Sequence, residues 1–185
     1  KISAAPAAAK AACAADSLKA LRLLASLPQG ARRPCDLDPA VTDISCNLGL
    51  VKADDKMLEA VLMARALSEA GLDSELWHIK ALAALCEGAA VSLENRHPCW
   101  SPRPAGRLAG VLNEAAVATT GEPLKLTAMH AGLECALFAR RNPDLELASL
   151  GPDIRHPHSP GERLNVASVA AVWRLLTAAL PGLTA

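Results

Sequence analysis

Apolar and polar residues alternate one by one from Ile44, with Ile44, Cys46, Leu48 and Leu50 on one side and Ser45, Asn47 and Gly49 on the other. That is the two-residue period of a half-buried strand. Around it the spacing is mostly helical. Residues 8–27 form an alanine- and leucine-rich helical pattern that Pro28-Gln29-Gly30 ends, and a loop rich in Pro, Arg and Asp follows through Ala40. Lys52-Ala-Asp-Asp-Lys56 reads as a polar turn. After Gly71, positions Leu72, Leu76, Ile79, Ala83 and Cys86 repeat with helical spacing until Gly88 closes the helix. Residues 90–95 are a short strand candidate. Leu108, Val111, Leu112 and Ala115 form a further helical stripe ending before Gly121. Strands are then expected at 124–128 and 145–150, with a helix at 132–140 between them. A last helix is expected over 166–179, capped by Asn165, with Val166, Val169, Ala170, Trp173 and Leu176 facing inward.

Residues 57–67 set two signals against each other. Leu, Glu, Ala and Met favour helix, and propensity alone continues one helix through to Glu69. Parity gives another answer. If the turn sets 47 opposite 61, the even residues Ile44, Cys46, Leu48, Leu50, Leu58, Ala60, Leu62, Ala64 and Ala66 share one uncharged face, and Asp43, Ser45, Asn47, Glu59 and Arg65 share the other. A hairpin with one dry and one polar face is coherent, so parity agrees with the strand at 57–67, paired with the preceding one, that the family resemblance described below implies. Residues 1–89 thus read as helix, hairpin, helix. Strands alternating with helices over 90–185 argue for an α/β layer, and Asn95–Pro104, with three prolines, makes a natural crossing between the two parts.

With 51% hydrophobic residues, the 185-residue chain has apolar surface enough for one domain or parts of two. Nineteen basic residues balance nineteen acidic ones and only four side chains are aromatic, so neither a positive field nor a stacking platform recommends nucleic-acid binding. The longest apolar stretch, 166–183, is interrupted by Arg174 and Pro181 and reads as an amphipathic terminal helix, not a membrane span. Residues 1–15 superficially resemble a signal peptide, but Lys10 divides the run and no initiator Met is present, so they read as a helix cut from a longer chain. Six cysteines at 13, 35, 46, 86, 99 and 135, without a Cys-x-x-Cys pair, argue for reduced, mostly buried thiols and a cytoplasmic setting. Trp100 and Trp173 are assigned to core packing.

Two segments carry candidate chemistry: Gly151-Pro-Asp-Ile-Arg-His-Pro-His-Ser-Pro-Gly-Glu162, and His130-Ala-Gly-Leu-Glu-Cys-Ala-Leu-Phe138 upstream of it. Neutral imidazole is the commonest protein ligand for zinc-like ions, and a proline-flanked loop holds it firmly. In this order, with Asp43-Ile-Ser-Cys-Asn-Leu-Gly-Leu-Val51 and Pro98-Cys-Trp100, the segments resemble the C-terminal part of the aminoacyl-histidine dipeptidases, which are di-zinc exopeptidases. The similarity runs from about Leu18 to Leu180.

The resemblance implies an α/β fold: residues 1–89 as the second half of a lid and dimerisation domain, 90–185 as the C-terminal segment of a catalytic domain. It implies zinc, His158 as ligand to one ion of a pair, a dipeptide substrate and a homodimer formed through the lid. It places Arg65 at a substrate-binding arginine, where a guanidinium fork would hold a free carboxylate. Most metal ligands and the catalytic glutamate of the family have no counterpart among these residues, so the chain is expected to be a C-terminal fragment, inactive alone. One imidazole cannot hold a catalytic zinc, which needs about three protein ligands.

Plainer readings stand beside these roles. His156 reads as a surface histidine. Arg65 could form an ordinary salt bridge, and Asn47, on the same face, a cross-strand structural bond instead of a bond to substrate. His130, Gly132 and Glu134 could line the substrate site, with Glu134 pairing the α-amino group; alternatively Glu134 is an early acidic residue of its helix. Glu162 could support His158 through the ring's second nitrogen or pair with Arg155 or Arg163. Cys135 reads as a packed thiol. The rival to an enzyme fragment is a non-catalytic binding or assembly module that keeps the fold.

Overall fold

The computed structural model describes residues 11–103 and 105–184. The chain forms two compact units, one ending at Arg96 and the other beginning at His97.

In the first unit, helix α1 (Ala14–Ser26) is followed by strands β1 (Gly30–Pro34), β2 (Thr42–Ala53) and β3 (Leu58–Ala66), then helix α2 (Glu69–Ala84). The part of the expected first helix at residues 8–10 lies outside the described residues. Cys13 caps α1 through its sulfur, which accepts the Asp16 N–H. Gly30, at φ 75°, takes the left-handed conformation with which the chain enters β1. That strand was expected to be loop. Its sequence, Gly-Ala-Arg-Arg-Pro, has no apolar alternation because every residue of it is exposed at the sheet edge.

The three strands pair antiparallel in the order β1-β2-β3. The hairpin at 44–66 forms as a hairpin, but in a shifted register: Asn47 faces Met63 and Leu48 faces Leu62, while Leu50 faces Val61. One extra residue, Gly49, is a bulge that reverses the parity of β2 beyond it. Leu50 therefore leaves the dry face and lies exposed beside Val61 and Met63. Lys56 and Met57 donate their N–H groups to Asp54 Oδ1 at 2.7 and 2.9 Å, closing the turn and holding the Asp54 carboxyl below the usual range.

Helix α2 begins three residues before Leu72, because Ser68 caps it by accepting the Gly71 N–H at 3.1 Å. Ile44 and Cys46 of β2 are buried, as are Leu72, Ile79 and Ala83 of α2. Asp43 is buried too, against the expectation that it shares the polar face. Its carboxylate accepts two bonds from the Arg33 guanidinium and one from the Leu67 N–H at 3.1 Å, tying β1 to the exit of β3. Glu75 is buried with one carboxylate oxygen lacking a hydrogen bond; Arg32 Nε lies 3.5 Å away, an ion pair without hydrogen-bond geometry. Cys46, 1% exposed, has its thiol pKa pushed up, first by burial and then by the Glu75 charge.

The second unit contains α3 (Arg107–Thr120), α4 (Cys135–Arg141), the two-residue strands β4 (Ile154–Arg155) and β5 (Arg163–Leu164), and α5 (Val166–Thr184). Its core is the crossing of α3 and α5: Leu112, Ala115 and Ala116 against Leu175 and Ala179, flanked by Leu108, Val111 and Leu124. Gly106 begins α3 without a capping side chain. Glu146 supplies the cap from a distance, accepting the N–H groups of Arg107 and Leu108, and a Cβ on Gly106 would overlap that carboxylate.

Residues 90–95, 124–128 and 145–150 form no strands. Their composition suits strands, but a ladder requires a neighbour, and none of the three has a strand partner among the described residues. Helix α5 turns the opposite way from expectation. Leu175 and Ala179 are buried, whereas Val166 is 78% and Trp173 68% exposed, so Trp173 is not a core residue here. The helix is apolar almost all round, which leaves periodicity without power to choose a face. With 19 residues and a mean hydropathy of 1.5, it is long and apolar enough to cross a bilayer by length and composition. All six cysteines are free, and two of them, Cys35 and Cys46, are buried, fewer than expected.

Glu146→Ala should lower the unfolding free energy by about 1–2 kcal/mol in urea titration, because it uncaps α3. The raised Cys46 pKa means that folding favours the protonated thiol. Its contribution to stability is complete below the ordinary thiol value of about 8.5 and is lost as pH rises above it. Cys46→Ala should flatten that alkaline limb in a pH series of denaturation curves.

Candidate functional site

His158 sits in the loop 156–162 that joins β4 to β5, held by the pairs Ile154↔Leu164 and Arg155↔Arg163. This hairpin carries the histidine; residues 145–150, the strand expected before it, form none. The loop is not extended: His156 (φ 53°) and His158 (φ 62°) both adopt the left-handed conformation, which costs a non-glycine residue roughly 1–2 kcal/mol. Such strain persists only where surrounding contacts fix it. Ser159 Oγ donates to the His156 carbonyl at 2.7 Å and accepts the Gly161 N–H at 3.3 Å. Glu162 donates its N–H to the Ser159 carbonyl at 3.0 Å, and its Oε2 accepts the His158 main-chain N–H at 2.8 Å.

Both histidines are exposed. Arg155 and Arg163 face each other across the hairpin and, with Asp153 and Asn165, line an open depression of about 610 Å³. Ser159 was not singled out in the sequence; its signal is its place between His158 and Pro160-Gly161, where a short side chain can bond back to the turn. Among the described residues no group of three or more His, Cys, Asp or Glu side chains could hold a metal ion. His158 is suited to be one exposed donor, not a complete site.

His130, Gly132 and Glu134 lie in the irregular segment before α4, with His130 half-buried and Gly132 and Glu134 exposed. Helix α4 starts at Cys135, so Glu134 stands at its N-cap position, and its side chain makes no capping bond. A Cβ on Gly132 would meet nothing within 4 Å. Cys135 Sγ lies 3.9 Å from the Ala148 carbonyl. In the first unit, Asn47 and Arg65 are exposed on the outer face of the β2–β3 hairpin, opposite Met63 and Ser45 respectively. Arg65 lies against the Met63 sulfur at 3.3 Å and has no carboxylate partner among the described residues. The structure thus groups Asn47 with Arg65, and separately His158 with Glu162.

No family model matches the chain. Cytosol non-specific dipeptidase of Escherichia coli (strain K12) is 32% identical over 157 residues, 85% of this chain and 32% of that protein. The chain is homologous to that dipeptidase. The crystal structure of aminoacylhistidine dipeptidase from Vibrio alginolyticus matches with a TM-score of 0.79 at 26% identity, covering 94% of this chain and 36% of the other. Aminopeptidase PepT from Bacillus cereus shares the fold alone, with a TM-score of 0.70 at 15% identity over 91% of this chain and 45% of the other. The expected α/β peptidase fold is therefore the fold of this dipeptidase homologue. The chain spans about a third of the length of the dipeptidases it matches.

His156→Val should lower stability by about 1–2 kcal/mol and His156→Asn should be near neutral, since a β-branched residue resists the left-handed region that asparagine tolerates. Denaturation curves of the two variants check this.

Proposed function

We propose that the chain is the C-terminal portion of a zinc-dependent dipeptidase that hydrolyses Xaa-His and other dipeptides in the cytoplasm. The observation that carries this reading is the 32% identity to a dipeptidase over 157 residues, 85% of the chain. Residues 1–89 are the second half of a lid domain through which the protein dimerises, and 90–185 complete the catalytic domain. The remaining metal ligands and the general base come from an N-terminal half.

His158 is the ligand this chain gives to one of two zinc ions; its exposure and its fixed loop suit a donor that awaits partners. Bound zinc supplies an acidified water and a Lewis acid for the scissile carbonyl. Arg65, without a carboxylate partner among the described residues, receives the C-terminal carboxylate of the dipeptide in a two-bonded fork, and Asn47 donates an amide hydrogen bond beside it. Glu134 pairs with the free α-amino group, next to His130. Gly132 meets no neighbour of its own, so its missing side chain leaves room for substrate.

The chain alone should show no dipeptide hydrolysis, and the assembled protein should contain two zinc ions. In that protein, His158→Ala should lower kcat/KM by at least about a hundredfold and release zinc, with a smaller loss for His156→Ala. Equal losses would overturn the ligand assignment. Arg65→Lys should raise KM about tenfold with kcat less affected, because an ammonium group cannot reproduce the fork. A zinc-free homodimer of these 185 residues that gains no hydrolysis on assembly would instead favour the non-catalytic module.

A further inference from the structure

We infer that Glu162 is a positioning residue: its carboxylate fixes the main chain of His158 in the left-handed conformation and so presents the imidazole before any ion arrives. The inference rests on the reading of His158 as a ligand. Two left-handed non-glycine residues, His156 and His158, stand two positions apart in one short loop. Pro157 between them and Pro160 after them restrict the backbone but donate no hydrogen bond. Ser159 holds the His156 end through its hydroxyl, and the Ile154↔Leu164 and Arg155↔Arg163 pairs hold the base of the hairpin. The contact that grips His158 itself is Glu162 Oε2 on its N–H at 2.8 Å.

A charged acceptor makes this the stronger kind of hydrogen bond, and it is directed at the backbone, leaving both ring nitrogens to other partners. The usual support for a ligating histidine acts on the ring's second nitrogen and sets its tautomer. Here the support acts one step earlier, on the torsion that aims the side chain. Glutamine at 162 keeps a carbonyl oxygen able to accept the same N–H; alanine does not.

The test uses the 185-residue chain and its amide resonances. In the unaltered chain the His158 amide proton should be shifted downfield and protected from exchange. Glu162→Ala should remove the shift and speed exchange at least tenfold while the Ile154 and Leu164 amides stay as they were; Glu162→Gln should retain most of both. A His158 amide unchanged by Glu162→Ala, or lost as fully in Glu162→Gln, would overturn the inference. Should Glu162→Ala fail to fold, the glutamine variant decides by the same measurement. In the assembled protein, Glu162→Ala should weaken zinc binding tenfold or more, and Glu162→Gln less. An assembled protein with Glu162 intact that binds no zinc would sink the ligand reading, whereas the amide result judges the positioning by itself.

Discussion

Carboxylates that accept main-chain N–H groups fix this chain at the places where it turns. Asp43 accepts from Leu67, Asp54 from Lys56 and Met57, Glu146 from Arg107 and Leu108, and Glu162 from His158. A backbone donor removed from water without a partner is costly, and an ionised acceptor is the strongest side-chain answer to it. In each case the acid does what secondary structure cannot, satisfying donors at a strand exit, a hairpin turn, a helix start and a strained loop. The hydrophobic contacts choose which faces meet; these four acids choose where the chain enters and leaves them. Their span ranges from the local turn at Asp54 to Glu146, which reaches back across the whole of α4 to the start of α3.

Such a role is poorly visible in a sequence, because an acid that will cap a distant helix looks like any solvated acid. Glu146 lies within a segment expected to be a strand, and nothing near it points to residue 107. Asp43 was placed on a polar face by parity alone, and its pairing with Arg33 depends on β1, which has no apolar pattern to reveal it. The helices at 107–120 and 69–84 were legible because each buries one stripe and has a clear stop or cap nearby. The first strand of the 44–66 hairpin was legible from alternation; the second was legible only through the family resemblance, with which cross-strand parity agreed against helix propensity. Its bulge was not: a single glycine in a strand signals a bulge only loosely, and Gly49 was counted as an ordinary outward position.

The candidate site was legible as chemistry and illegible as geometry. His158 was singled out by the family resemblance of the segment around it, since a His-Pro-His loop taken alone reads as exposed histidine. That its loop would be left-handed at both histidines, and that Glu162 would reach the backbone in place of the ring, depends on torsions that residue spacing does not encode. Arg65 illustrates the complementary case. Register decided its exposure, and β3 keeps odd positions outward on both sides of the bulge, so the arginine emerged where parity put it even though the register was wrong.

Helix α5 shows why apolar character alone does not name an environment. Its length and hydropathy meet the requirement for a bilayer span, yet one side is already committed to protein: Leu175 and Ala179 pack on α3, and Arg107 donates to the Gly182 carbonyl near its end at 3.0 Å. A helix that lies against a polar-capped neighbour through alanines is built for close protein packing, where small side chains let two backbones approach. Val166 and Trp173 remain on the uncovered side, as do Leu50, Val61 and Met63 on the hairpin of the first unit. Apolar character along a helix thus fixes neither its environment nor its partner; the contacts of Leu175 and Ala179 with α3 do so for one side only.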